Sequence, residues 1–135
     1  MFAKVVVVVM KNTAKSPLFT AEERAQMIRE STTDLPNVTV DVFDGLLADY
    51  TKAIGAGAIV KGLRAMSDFE YEFQMALTNK KLNPNTETVF FTTKAEYMYL
   101  SSSMVKQVGS FGGDISDFVP ESIHQKVIER LERKL

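Results

Sequence analysis

The sequence predicts an α/β protein built on a parallel sheet with helices on both faces. Three observations carry that prediction. Strand-like and helix-like segments alternate four times along 135 residues, as expected when crossover helices join parallel strands. The first strand, Ala3 to Met10, contains five consecutive valines and no alternation. A short unbroken β-branched run fits a strand covered on both sides. Right-handed crossovers then distribute the helices over the two faces.

The elements follow in order. After the valine strand, Lys11 to Phe19 reads as a loop carrying Lys15 and Pro17. Thr20-Ala21-Glu22-Glu23 has the spacing of a capping box, in which hydroxyl and carboxylate satisfy each other's backbone donors. A helix should run from there to Ser31 or Thr33, ahead of Leu35-Pro36-Asn37. Val38 to Phe43 is the second strand, and Gly45 opens a short helix through Lys52. Ala56 to Val60 forms the third strand, and Ser67-Asp68-Phe69-Glu70 a second capping box at the head of a helix reaching Lys81. Glu87 to Thr92 is the fourth strand. Ser101 to Val108 reads as a helix closed by Gly109, and Pro120 starts a last helix to Glu132.

Residues 1–135 are expected to form one domain, a length sufficient to bury a core. A formal net charge of −1 argues against a protein that works by coating nucleic acid. The absence of cysteine excludes disulfides and thiolate chemistry and fits a reducing compartment. The longest apolar run, Val5 to Met10, is far shorter than the ~18 residues of a membrane span. It also lacks the cleavage pattern of a signal peptide. The sequence therefore reads as cytoplasmic, with no membrane partner.

Ligands of open parallel sheets bind beyond the carboxyl ends of the strands. Those positions carry Lys11 and Lys15 after the first strand and Asp44-Gly45-Leu46-Leu47 after the second. Lys61-Gly62-Leu63-Arg64 follows the third strand, and Tyr97-Met98-Tyr99-Leu100-Ser101-Ser102-Ser103 lies past the fourth. Cations, hydroxyls, aromatics and a helix N-terminus together suit a phosphorylated ligand with an aromatic base. For Lys61 and Arg64 the competing account is a salt bridge to Asp68 or Glu70, and for Gly62 a plain turn glycine. Lys15 alone reads as a solvated loop lysine. One serine of Ser101–Ser103 is explained as a helix cap; three hydroxyls at a positive helix end also make an anion site. Glu72 lies one turn beyond Asp68 and reads as a surface carboxylate. Phe69, Tyr71 and Phe73 read as core rather than a stacking platform, and His124 as a surface or packing residue. With no Ser/His/Asp set and no metal-ligand spacing, chemistry would rest on positioning and charge stabilisation.

Several blocks carry a resemblance. Lys15-Ser16-Pro17-Leu18-Phe19-Thr20, Gly62-Leu63-Arg64-Ala65, Asp68 to Ala76, Ser101 to Lys106 and Gly112-Gly113-Asp114 closely resemble phosphopantetheine adenylyltransferases, over essentially the whole chain. The resemblance implies a Rossmann-like nucleotidyltransferase fold. It also implies transfer of the adenylyl group of ATP to 4′-phosphopantetheine with Mg²⁺, giving dephospho-coenzyme A and pyrophosphate. By match, Lys15, Leu47 and Lys61 would contact phosphopantetheine, with Lys61 standing where many members carry arginine. Gly62, Leu63, Arg64, Glu72 and the segment Tyr97, Met98, Tyr99, Leu100, Ser101, Ser102, Ser103 would contact ATP. Lys15 and Arg64 would support catalysis. The family implies a homohexamer.

Family members also carry a strand and a Gly-Ser/Thr-Phe-Asp-Pro…Gly-His segment before the position of Phe2. Neither lies within these 135 residues. The resemblance thus places a central strand of the 3-2-1-4-5 sheet, and the catalytic histidine, outside this sequence. Oxyanion-type donors of that kind are worth about 2.7–4 kcal/mol each, so the expectation is strongly reduced turnover. Three arrangements would accommodate the gap: the two halves close together, another chain supplies the strand, or the sequence is an N-terminally shortened form of an ordinary enzyme. The last is the expectation adopted. A second reading is a catalytically silent nucleotide- or coenzyme-A-binding module.

Overall fold

The computed structural model describes residues 1–11 and 16–133. In chain order the elements are β1 (Val5–Met10), α1 (Ala21–Ser31), β2 (Val38–Phe43), α2 (Leu47–Ile54) and β3 (Ala58–Leu63). Then follow α3 (Met66–Leu82), β4 (Glu87–Thr92), a 3₁₀ turn (Ala95–Tyr97), α4 (Ser102–Ser110) and α5 (Glu121–Glu132). The protein is α/β, with parallel strands flanked by helices, as the alternation predicts. The strands form two two-stranded parallel ladders, β1–β2 and β3–β4. The chain divides into two compact units, one of Met1–Asp44 with the chain from Leu100 onward, the other Gly45–Tyr99.

In the first unit β1 and β2 pair in register from Val5 beside Val38 to Met10 beside Phe43. Helix α1 starts as expected: the Thr20 hydroxyl accepts from Glu23 N at 3.1 Å and Thr20 N donates to the Glu23 carboxylate at 3.0 Å. Ala21 and Ala25, four residues apart on one helix face, let α1 approach the ladder, where Val9, Val40 and Val42 meet them. A second core joins α4 and α5 around Ile115, Val127 and Leu131. Gly109 does not close α4, which continues to Ser110. A Cβ at Gly109 would stand 2.4 Å from Leu131 Cδ1, so this glycine serves close helix packing rather than termination.

In the second unit α3 packs against α2 and β4. Gly55 caps α2 with a left-handed φ of 66°, which a residue without Cβ adopts without strain. A buried polar knot closes the unit: Asn83 Nδ2 donates to Thr51 Oγ1 and Thr86 Oγ1 at 2.9 and 2.7 Å. Thr86 Oγ1 donates in turn to the Ala56 carbonyl at 2.8 Å.

Three further expectations need correction. Strand β3 extends to Leu63, so Lys61 and Gly62 are ladder residues beside Phe90 and Phe91 rather than a loop after the strand. Helix α3 begins at Met66 with Ala65 as its uncapped N-terminal neighbour; Ser67 lies inside the first turn, so the second capping box does not form. Phe69, Tyr71 and Phe73 are not core: they stay 38, 63 and 48% exposed. Apolar residues run round the circumference of α3, and neighbours on one side cannot cover them all.

Candidate functional site

The site grows from the carboxyl end of β3. Ile59 is buried, Lys61 is half-buried, and the strand ends with Leu63 beside Thr92. Only Arg64 and Ala65 separate β3 from α3. This short connection brings the first turns of the helix back against the strand's cations. Arg64 Nε lies 3.4 Å from Asp68 Oδ2, and Lys61 Nζ lies 3.8 Å from Glu72 Oε2. Asp68 and Glu72 are four residues apart and share one helix face, so each cation meets its own carboxylate. Pairs this exposed are worth about 0–1 kcal/mol. Both cations therefore stay partly open to solvent, with side chains 40 and 43% exposed.

The salt-bridge account of Lys61 and Arg64 is thus correct for Asp68. Glu70 is not the second partner: Glu72 takes that place, and it is no idle surface carboxylate. Asp68 is the carboxylate that the structure sets against Arg64. Its signal was present in the spacing Arg64, Asp68, Glu72, a continuous i, i+4 series.

Gly62 is exposed, and a Cβ built there meets nothing within 4 Å. Its φ is not left-handed, so neither a turn nor the fold explains the glycine.

Because β3 and β4 run parallel and end in register, the Arg64 corner and the segment after Thr92 leave the same edge of their ladder. That segment passes through the 3₁₀ turn to Tyr97, Met98 and Tyr99, each about half exposed. Leu47, the first residue of α2, is half-buried in the same unit.

The first unit holds the remainder. Ser101 caps α4, its hydroxyl accepting from Met104 N at 3.1 Å, while Ser102 and Ser103 stand exposed in the first turn after half-buried Leu100. At the end of β1, Lys11 Nζ pairs with Glu22 at 3.3 Å. The Glu22 carboxyl is held below its ordinary value by a backbone hydrogen bond and then by Lys11. Lys15 lies outside the described residues.

Away from these loops, Glu23 receives the Arg130 guanidinium, which also lies 4.6 Å over the Phe19 ring. That contact, with the Thr20 backbone N–H, lowers the Glu23 pKa to about 2. His124 is half-buried on α5, its Nε2 shielded and without a hydrogen-bond partner among the described residues. It is a packing residue remote in sequence from every strand-end loop. Among the described residues, no group of three or more His, Cys, Asp or Glu is placed to hold a metal ion. No helix there is long and apolar enough to cross a membrane.

The cytidylyltransferase-like family profile matches residues 1–108. The phosphopantetheine adenylyltransferase of Caldanaerobacter subterraneus subsp. tengcongensis is 53% identical over 133 residues, 98% of this chain and 83% of the relative. That of Heliobacterium modesticaldum is 54% identical over 129 residues, 96% of this chain and 77% of the relative. The chain belongs to the phosphopantetheine adenylyltransferase family. A third member, from Dictyoglomus turgidum, is 52% identical over 98% of this chain and 83% of its own length. The broader profile stops within α4 at residue 108. The likeness to phosphopantetheine adenylyltransferases continues past it and takes in α5 with its Ile115–Val127–Leu131 core.

Proposed function

We propose that this chain transfers the adenylyl group of ATP to 4′-phosphopantetheine, yielding dephospho-coenzyme A and pyrophosphate. The observation that carries the reading is the corner at the end of β3, where Lys61 and Arg64 are held by Glu72 and Asp68 beside an unobstructed glycine. In the reaction an oxygen of the acceptor phosphate attacks the α-phosphorus of ATP. The new P–O bond forms as the bond to the β-phosphate bridging oxygen breaks, and pyrophosphate leaves. No proton need be taken from an ionised acceptor phosphate, so the protein's part is alignment and charge stabilisation.

Arg64, Gly62 and Leu63 would bind the ATP phosphates and sugar side, with Glu72 beside them. Tyr97, Met98, Tyr99 and Leu100 would form the base side. Ser101, Ser102 and Ser103, at the positive end of α4, would take the terminal phosphates. Lys61, Leu47 and Lys15 would hold phosphopantetheine. ATP would be taken up with Mg²⁺, which would supply charge compensation for the departing pyrophosphate. Self-association into a homo-oligomer, a hexamer on family grounds, is supported by the exposed Met66, Tyr71 and Leu77 of α3. The setting is cytoplasmic, and neither nucleic acid nor membrane is a partner.

The test supplies the chain with ATP, Mg²⁺ and 4′-phosphopantetheine and looks for dephospho-coenzyme A and pyrophosphate by mass spectrometry. Lys61→Ala with Arg64→Ala should abolish product. Adenylyl transfer to a different acceptor, or no saturable ATP binding, would overturn the assignment.

A further inference from the structure

Arg64 stands in a two-residue connection, and its side chain is 43% exposed. Whatever rotamer freedom an exposed arginine retains is lost when it binds phosphate. Asp68 restricts it beforehand. Its carboxylate oxygen is 3.4 Å from Arg64 Nε, and its own backbone is fixed by a 3.1 Å hydrogen bond from Asp68 N to the Ala65 carbonyl. Nε lies next to the aliphatic stem, so an anion there sets the plane of the guanidinium rather than competing at the far edge of its fork.

We propose that Asp68 is a positioning residue for Arg64, fixing the guanidinium plane in which ATP phosphate oxygens are received. The inference rests on the ATP-binding reading of Arg64 and extends it by one residue. The neighbouring contact, Lys61 to Glu72 at 3.8 Å, constrains the other cation independently. A carboxylate in the first turn of α3 would also favour the helix end with no reference to Arg64. That simpler role affects stability alone. Positioning affects ATP, and only while Arg64 is present.

The experiment is calorimetric titration of the chain and its variants with Mg·ATP and, separately, with 4′-phosphopantetheine. Asp68→Asn should weaken ATP about tenfold and leave phosphopantetheine within about twofold. Asp68→Glu should recover most of the ATP affinity. In an Arg64→Lys background, Asp68→Asn should change ATP affinity by less than about twofold, since no Nε remains to orient. Asp68→Ser keeps a polar first-turn side chain, and carries the test should the asparagine variant fold poorly by circular dichroism. Wild-type ATP affinity in a folded Asp68→Asn or Asp68→Ser chain overturns the positioning role and leaves the enzyme reading intact. So does an equal loss in both Arg64 backgrounds. Failure of the unmodified chain to bind ATP overturns the enzyme reading itself, and the positioning role with it.

Discussion

Gly62→Ala separates fold from function at a single methyl group. Gly62 sits inside β3 beside Phe91, has no left-handed φ, and a Cβ there meets nothing within 4 Å. The fold therefore gives no reason for glycine. Replacing a strand glycine with alanine where the backbone permits it stabilises by about 0.4–1 kcal/mol, chiefly by restricting the unfolded chain. Ligand binding should move the other way. If phosphates approach the Gly62 backbone, a methyl group in that space should weaken ATP about tenfold or more, roughly 1.4 kcal/mol. Urea denaturation and ATP calorimetry on the same samples read the two effects, and Gly62→Val should exaggerate the binding loss. An alanine variant that binds ATP like the wild type would refute the close approach. One destabilised by more than about 1 kcal/mol would refute the open space around the residue.

Other substitutions test the frame and the serine segment. Ile115 is fully buried between α4 and α5, so Ile115→Ala should cost about 2–5 kcal/mol in urea denaturation. Ser101→Ala should lose the α4 cap and about 0.5–2 kcal/mol. Ser102→Ala and Ser103→Ala should leave stability within about 0.5 kcal/mol and lower only the affinity for ATP. Glu23 titrates far below its ordinary 4.5, at about 2, because Arg130 and the Thr20 N–H favour its charged form. Its contribution to stability is thus complete above pH 4.5 and is lost as the pH falls toward 2. Melting temperatures measured across that range should fall less steeply for Glu23→Gln; parallel curves would reject the coupling.

What the sequence disclosed was mainly local. The bounds of β2 and β4 and the Thr20–Glu23 capping box are written in adjacent residues, and the structure reproduces them. The end of β3 was misplaced because a lysine and a glycine resemble strand breakers. In the ladder Lys61 stays half-buried with its ammonium at Glu72, and Gly62 simply continues the pairing. Gly109 has the type of a helix terminator, but its reason is Leu131 on another helix, which no neighbouring residue announces. The aromatics of α3 make the same point in reverse. Residue type reports a tendency to be buried, while the actual burial of Tyr71 depends on which elements surround the helix. The candidate residues could be listed from sequence as strand-end loops, and the parallel pairing puts those after β3 and β4 at one edge of their ladder. The pairing of each cation with its own carboxylate was not legible there.

That pairing bears on how the corner would recognise a polyphosphate. Lys61 and Arg64 face Glu72 and Asp68, so two cations meet two carboxylates and the formal charges cancel. A neutral corner exerts little long-range pull on an anion, and the chain as a whole carries a net charge of −1. Attraction must therefore arise at contact, from donors already aimed. The carboxylates would also repel an anion arriving along α3, leaving the approach over Gly62 as the favourable one. On the proposed function a corner built this way would select by direction and distance rather than by charge. On the proposed function the salt-bridge and anion-binding accounts of Lys61 and Arg64 would not compete, because the first would prepare the second.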